Sequence, residues 1–229
     1  MRRNAPKVIA HRGCADQYPE NTVHAINAAA EHVDMFEIDV RRCGSGELVV
    51  YHHENLSAAT ELTGRISETP FDVLRSVGIH QSSEPIPLLT AALDAVPNKI
   101  PINVELKTAG IAADVILDCN KYPNRCVYSS FSETAIREIR AHDPTADIAV
   151  LCHESQNVDE RLSLAVELDC VAFHPSLSLA LETDVVERAQ KKGLNTNVWT
   201  VTSPQEVQYL TEKNVDGIFV DRWDILPQS

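Results

Sequence analysis

Val8-Ile9-Ala10-His11-Arg12-Gly13, Phe36-Glu37-Ile38-Asp39-Val40 and Leu48-Val49-Val50-Tyr51-His52-His53 are the three blocks, within residues 8–53, on which the reading of this chain turns. Val8-Ile9-Ala10 predicts a buried strand that stops at His11-Arg12-Gly13. Phe36 to Val40 predicts a second strand, and alternation sends its carboxylates, at i and i+2, to the same face. Two like charges inside an apolar strand are costly unless neutralised, and a divalent cation is the usual answer. Between the strands Val23, Ile26, Ala29 and Ala30 recur at helical spacing. They predict a helix over 22–32, capped by Asn21 or Thr22. After Asp39, the turn Cys43-Gly44-Ser45-Gly46 is too short for a crossover helix, so residues 48–52 predict an antiparallel return strand. This hairpin arm brings His52 back toward the barrel mouth.

Working outward, residues 54–87 carry Thr63-Gly64, Pro70, Gly78, Pro85 and Pro87, with one short helix predicted around 71–77. A connection of this length is either a substrate-selecting lid or a segment packed over the rim. From residue 88 the pattern alternates. Helices over 88–96, 111–121, 133–142, 159–168, 182–192 and 204–213 interleave with strands over 100–107, 126–130, 147–152, 170–174, 195–201 and 217–221. With strands 8–11 and 35–40 this gives eight, which predicts an α/β fold: a (β/α)8 TIM-type barrel with a hairpin arm after the second strand and a short insertion loop. An open doubly wound sheet would normally carry a glycine-rich phosphate turn after its first strand, and Gly13-Cys14-Ala15 is not one. No linker or charge run divides the chain, so a single barrel domain over 1–229 is expected.

The formal charge of −13 over 229 residues, with no basic run to offset it, argues against nucleic acid or an anionic membrane as a standing partner. No run reaches the ~18 apolar residues of a membrane span. Met1-Arg2-Arg3-Asn4-Ala5-Pro6-Lys7 is followed by no apolar stretch of signal-peptide length, so no stable membrane insertion and a cytoplasmic location are expected. The six cysteines (Cys14, Cys43, Cys119, Cys126, Cys152 and Cys170) show no Cys-x-x-Cys pair and no zinc spacing. They read as reduced, small hydrophobes. Homo-oligomerisation is left open.

In an eight-fold barrel the site lies at the carboxyl ends of the strands. Polar residues gather there: His11, Glu37, Asp39, Glu105, Lys107, Ser129, Ser130, His174, Asn197, Trp199 and Asp221. Asn103, Glu105 and Lys107 share the inward face of their strand, while Val104 and Leu106 point out to the helices. Glu37, Asp39 and Glu105 offer hard oxygen donors from neighbouring strands, which suit Mg²⁺ or Ca²⁺ better than Zn²⁺.

His11-Arg12-Gly13, Pro19-Glu20-Asn21-Thr22, Glu37-x-Asp39, the strand-ending His52, Glu105-Leu106-Lys107, Trp199 and Asp216-Gly217-x-x-x-Asp221, in that order, resemble the glycerophosphodiester phosphodiesterase family. The resemblance covers nearly the whole chain. It implies Glu37, Asp39 and Glu105 as ligands of Mg²⁺ or Ca²⁺, and His11 and His52 as the acid–base pair. A phosphodiester has no good leaving group, so one imidazole, assigned as His11, removes a proton from the nucleophile. The other, His52, protonates the departing alkoxide. Arg12 would hold a phosphate oxygen through its planar fork. Lys107 would add a second cation or orient Glu105, and Trp199 would wall the glycerol carbons. Glu20 and Asn21 fall in the substrate-binding loop. Glu20 could bind the metal or the glycerol hydroxyls, or simply favour a helix N-terminus. Two departures stand out: His52-His53 replaces the family's His-Asp, and Leu56-Ser57-Ala58-Ala59-Thr60 replaces its Leu-x-Arg-Thr-Thr.

The expected function is therefore a metal-dependent phosphodiesterase that hydrolyses small-molecule glycerophosphodiesters to an alcohol and glycerol phosphate. One alternative is a phospholipase or lyase that acts on lysolipids and stops at a cyclic phosphate, although 54–87 offers little continuous apolar surface for a lipid. The other, motivated by His53 and Ala58, is a non-catalytic phosphodiester-binding barrel.

Overall fold

Eight parallel strands hydrogen-bond around a closed ring in the computed structural model, which describes residues 5–80 and 82–226. The other residues of the expected 1–229 domain lie outside the described set. The strands are β1 (Lys7–Ala10), β2 (Met35–Arg42), β4 (Ile102–Leu106), β5 (Cys126–Ser130), β6 (Asp147–Cys152), β7 (Ala172–Pro175), β8 (Asn195–Val201) and β9 (Gly217–Val220). β1 pairs with both β2 and β9, which closes the barrel. The short β3 (Leu48–Val50) pairs antiparallel with β2, Val40 opposite Val50, and forms the hairpin arm. The TIM-type barrel and its arm are as expected from the sequence.

Helices α1 (Val23–Ala29), α3 (Leu89–Ala95), α4 (Ala112–Cys119), α5 (Glu133–His142), α6 (Val158–Glu167), α7 (Leu177–Glu182), α8 (Val185–Lys191) and α9 (Pro204–Glu212) follow the barrel strands, and α2 (Phe71–Leu74) belongs to the arm. The helix expected over 182–192 is α8, and an additional short helix, α7, precedes it and ends where the chain turns extended at Thr183. Caps fix several starts. Thr22 accepts from the Ala25 amide, and Ser203 and Glu206 form a reciprocal capping box with Pro204 in the first turn.

Three apolar clusters follow from strand alternation. Val104, Leu106, Ile38 and their neighbours pack outward under the helices. Ile9, Met35, Val127, Ala149, Ala172 and Phe219 fill the barrel interior. The third cluster, including Val49, Tyr51, Leu56, Ile66, Leu74, Ile79 and Ile86, joins the arm to segment 54–87. That segment is thus packed over the arm with its own buried side chains.

Parallel register places Asp39 beside Glu105, and the hairpin returns Tyr51 so that its amide donates to the Asp39 carbonyl at 2.9 Å. His52 is therefore delivered to the level of Asp39. Gly13 has φ +77°, and a Cβ there would lie 2.8 Å from the Ala25 side chain, so α1 can seat under the β1 turn only if this residue is glycine. Gly13→Ala should cost about 2–4 kcal/mol, from positive φ plus overpacking. Denaturant unfolding would measure it, and a loss below about 0.5 kcal/mol would show the contact to be soft.

Candidate active site

The strand ends bring His11, Arg12, Glu37, His52, Glu105, Lys107 and Trp199 to one cavity of about 90 Å³. Asp39 is buried directly behind them at 1 % exposure. Glu20 and Asn21 do not line the cavity; they stand behind Arg12 and Asp39.

β1 ends in a tight turn in which Arg12, Gly13 and Cys14 all take positive φ (51°, 77° and 72°). The turn aims the Arg12 amide at Glu37 Oε2, 2.8 Å away. It also brings His11 Nδ1 to 2.7 Å from Asp221 Oδ1, on the residue that follows β9. With Asp221 ionised, Nδ1–H donates and Nε2 is left without a protein partner.

His52 is backed in the same way. Its Nδ1 lies 3.0 Å from Asp39 Oδ2, and its Nε2 lies 3.1 Å from Arg12 Nη2. Arginine can only donate, so in this arrangement Nε2 accepts and Nδ1–H donates to Asp39. Asn21 grips Asp39 twice: its amide nitrogen donates to Oδ2 at 2.9 Å, and its oxygen accepts from the Asp39 amide at 3.2 Å. Lys107 Nζ sits 2.5 Å from Glu105 Oε1 and 3.3 Å from Asp39 Oδ1.

Glu37, Asp39 and Glu105 present ligand oxygens within 4.8 Å of one another, all on buried residues. Glu37 Oε1 and Asp39 Oδ1 are buried with no hydrogen-bond partner. Asp39 Oδ1 has only the ion pair with Lys107, and Glu37 Oε1 has no partner; a buried carboxylate oxygen left so is destabilising and is satisfied by a hard divalent cation. The donor set therefore fits Mg²⁺ or Ca²⁺. Burial, and then the charges of Asp39 and Glu105, push the Glu37 carboxyl well above its ordinary pKa. Burial and Asp39 likewise raise Glu105 against the pull of Lys107. For Asp39 burial works in the same direction, but Lys107, His52 and Arg12 outweigh it and hold the carboxyl well below the usual range.

The rest of the cavity wall is largely apolar: Phe131, Leu151, Trp199 and Phe219 line it, with Lys107 Nζ 5.9 Å from the Phe131 ring. Trp199 is fixed by its indole N–H on the His174 carbonyl at 2.8 Å and by Phe131, edge-on at 5.4 Å.

Some strand-end residues serve elsewhere. Asn197, expected at the mouth, lines a second hollow at the opposite end of the barrel with Lys7, Asn195 and Asp216, because it sits one inward layer below Trp199. His174 is fully buried, with burial pulling its pKa down to about 3, so it is a neutral core residue. Ser129 accepts from Asn103, and Ser130 donates to the Leu106 carbonyl. Conversely, Asp221 was visible in the sequence as a strand-end acid, but nothing local identified His11 as its partner 210 positions away.

A closed barrel that carries, at its carboxyl face, three buried carboxylates able to hold a metal ion and two carboxylate-backed imidazoles has the composition of a hydrolase centre. The chain belongs to the glycerophosphoryl diester phosphodiesterase family, a family of phosphoric diester hydrolases, whose model matches residues 11–225. A glycerophosphodiester phosphodiesterase of Caldanaerobacter subterraneus is 27 % identical over 93 % of both chains. An Oleispira antarctica phosphodiesterase, solved in complex with the product sn-glycerol-3-phosphate, is 27 % identical with TM-score 0.83 over 96 % of this chain and 95 % of its own. The glycerophosphodiester phosphodiesterase of Thermotoga maritima, at 24 % identity and 96 % coverage of both chains, shares the fold with TM-score 0.83.

Because burial raises Glu37, a cation that binds its carboxylate competes with a proton there. Mg²⁺ or Ca²⁺ titrated calorimetrically should bind more tightly as pH rises and release protons to buffer, and Glu37→Gln should flatten that dependence. A pH dependence unchanged in Glu37→Gln would remove Glu37 from the proposed ligand set.

Proposed function

We propose that this protein hydrolyses glycerophosphodiesters to an alcohol and glycerol phosphate, with His11 as base, His52 as acid, and Glu37, Asp39 and Glu105 holding Mg²⁺ or Ca²⁺. The observation that carries the reading is the pair of imidazoles, each backed by a carboxylate, beside three clustered buried carboxylates of which Glu37 keeps an oxygen with no partner. When bound, the cation would supply Lewis-acid polarisation of the phosphoryl group and offset charge on its oxygens.

The chain's own residues divide the rest. His11 lies on the β1–β9 side, next to the apolar wall that suits glycerol carbons. Its free Nε2 takes the proton of the nucleophile, either water or the glycerol's neighbouring hydroxyl. Arg12, whose Nη2 rests on His52 Nε2, turns its fork to the phosphate and frees that nitrogen. His52, protonated there and backed by Asp39, donates to the departing alkoxide. Lys107 keeps Glu105 and Asp39 aligned. Glu20 and Asn21 act one step back, as positioning residues for Arg12 and Asp39. No helix among the described residues is long and apolar enough to cross a membrane.

Alcohol release from glycerophosphocholine and glycerophosphoethanolamine, with Mg²⁺, with Ca²⁺ and with chelator, tests the activity. Release should need metal, and Glu105→Gln should lose most of it; near-normal turnover in that variant would sink the ligand assignment. His52→Gln and His11→Gln should each lose about 10²–10⁴ in kcat. Asp221→Asn should act only through His11, lowering kcat with little change in KM. Phosphorus NMR of the products separates complete hydrolysis from arrest at a cyclic phosphate.

A further inference from the structure

Beside the catalytic cavity, and sharing Lys107 with it, runs a larger hollow of about 570 Å³. Its walls come from the hairpin arm (Arg41, Arg42), the segment after it (Glu54, Arg65) and the loop that follows β4. In a chain of formal charge −13, this wall gathers three arginines and one carboxylate, with Lys107 at its edge already held by Glu105 and Asp39.

The state of each cation matters. Arg42 meets Asp114 at 2.5 Å and Arg65 pairs with Glu54, but those carboxylates are 56 % and 52 % exposed. Such pairs are screened by water and hold their cations weakly. Arg41 differs: it is half-buried, and its Nε and Nη2 donate to the His52 carbonyl at 3.0 and 2.8 Å. Among the described residues no carboxylate comes within ion-pair distance of it. The bond to His52, and Lys107 Nζ at 3.4 Å from His52 Nδ1, place the hollow on the His52 side of the site.

We propose that this groove is the subsite for the departing alcohol and takes an alcohol bearing a phosphomonoester, so that the preferred substrate is a glycerophosphodiester with a second, terminal phosphate. The inference rests on the phosphodiesterase reading and on His52 as the acid. In the step concerned, the bond from phosphorus to the alcohol oxygen breaks as the nucleophile's oxygen bonds to phosphorus. His11 receives the nucleophile's proton and His52 gives one to the alcohol oxygen. The terminal phosphate meets the guanidinium groups of Arg42 and Arg65, with Arg41 adding its charge from the wall while its fork stays on the His52 carbonyl, and a quaternary ammonium in the same place is repelled. Glu54 and Asp114 swing to solvent at small cost.

The test compares kcat/KM for glycerophosphoinositol 4-phosphate, glycerophosphoinositol and glycerophosphocholine. The phosphorylated substrate should lead the unphosphorylated one by about tenfold or more, with the choline ester slowest. The lead should shrink as salt rises. The double variant Arg42→Gln/Arg65→Gln, distant from the acid–base pair, should lose most of that lead while it cleaves glycerophosphoinositol within about twofold of the parent. Equal rates on the two inositol substrates, or a lead that survives in the double variant, overturns the groove assignment and leaves the phosphodiesterase reading standing. If none of the three is cleaved, the activity itself falls, and calorimetric binding of inositol 1,4-bisphosphate reads the groove without turnover. Affinity about tenfold weaker in the double variant supports the anion site; equal affinity, or no binding by the parent, overturns it.

Discussion

Three carboxylates on the inward face of two adjacent strands is the constraint to which the rest of the site answers. Glu37, Asp39 and Glu105 are each at least nine-tenths buried, where ionised groups are expensive unless paired. The chain distributes the cost unevenly. Asp39 collects Asn21, His52, Lys107 and Arg12 and stays ionised, whereas Glu37 and Glu105 are pushed toward protonation. One carboxylate thus orients both cations and one imidazole, and its neighbours keep open oxygens. That division is what a divalent cation needs: donors that are close and unsatisfied, held by a partner that does not move.

Backbone geometry enforces this arrangement. Arg12, Cys14 and Asn21 all sit at positive φ without being glycine, a conformation that persists only where its surroundings over-determine it. For Arg12 the return is an amide pointed at Glu37. For Asn21 it is a side chain clasped to Asp39 in both directions. Asparagine tolerates this region better than most residues, which gives the Pro19-Glu20-Asn21-Thr22 loop a structural reason to end its extended part there. Thr22 then starts α1, and Gly13 lets α1 close against the turn.

The barrel could be read from the chain because strand–helix alternation is a local pattern, and the Glu37–Asp39 pair because period-two alternation is too. The hairpin followed from turn length alone, and with it the return of His52 to the barrel mouth, whereas its bond to Asp39 emerged only from the register. The partnership of His11 with Asp221 depends on barrel closure, β1 lying against β9, so it had no local trace. Asn197 shows the opposite failure. A polar residue near a strand's end looks like a site residue, but a seven-residue strand has an inward layer at each end of the barrel, and only register tells them apart. The short helix α7 escaped for a related reason: six residues, Leu177 to Glu182, are too few to show a helical period.

His53 and Ala58, where the family usually has a carboxylate and an arginine, bear on whether catalysis survives. His53 Nε2 lies 3.5 Å from Glu20 Oε1, and His80 Nε2 lies 3.8 Å from Glu20 Oε2. Ala58 and His80 line one small hollow. The departures therefore converge on the surroundings of Glu20, outside the catalytic cavity. Glu20 steadies Arg12 through Nη1 at 3.1 Å, but Arg12 is also held by Asp39 and by its own amide on Glu37. Changes around Glu20 can thus accumulate without displacing a donor or either imidazole. A barrel that only bound phosphodiesters would gain affinity by losing its buried like charges, since they repel the very ligand they face. Their presence beside two carboxylate-backed imidazoles makes sense in a site that takes up a cation and turns over its substrate.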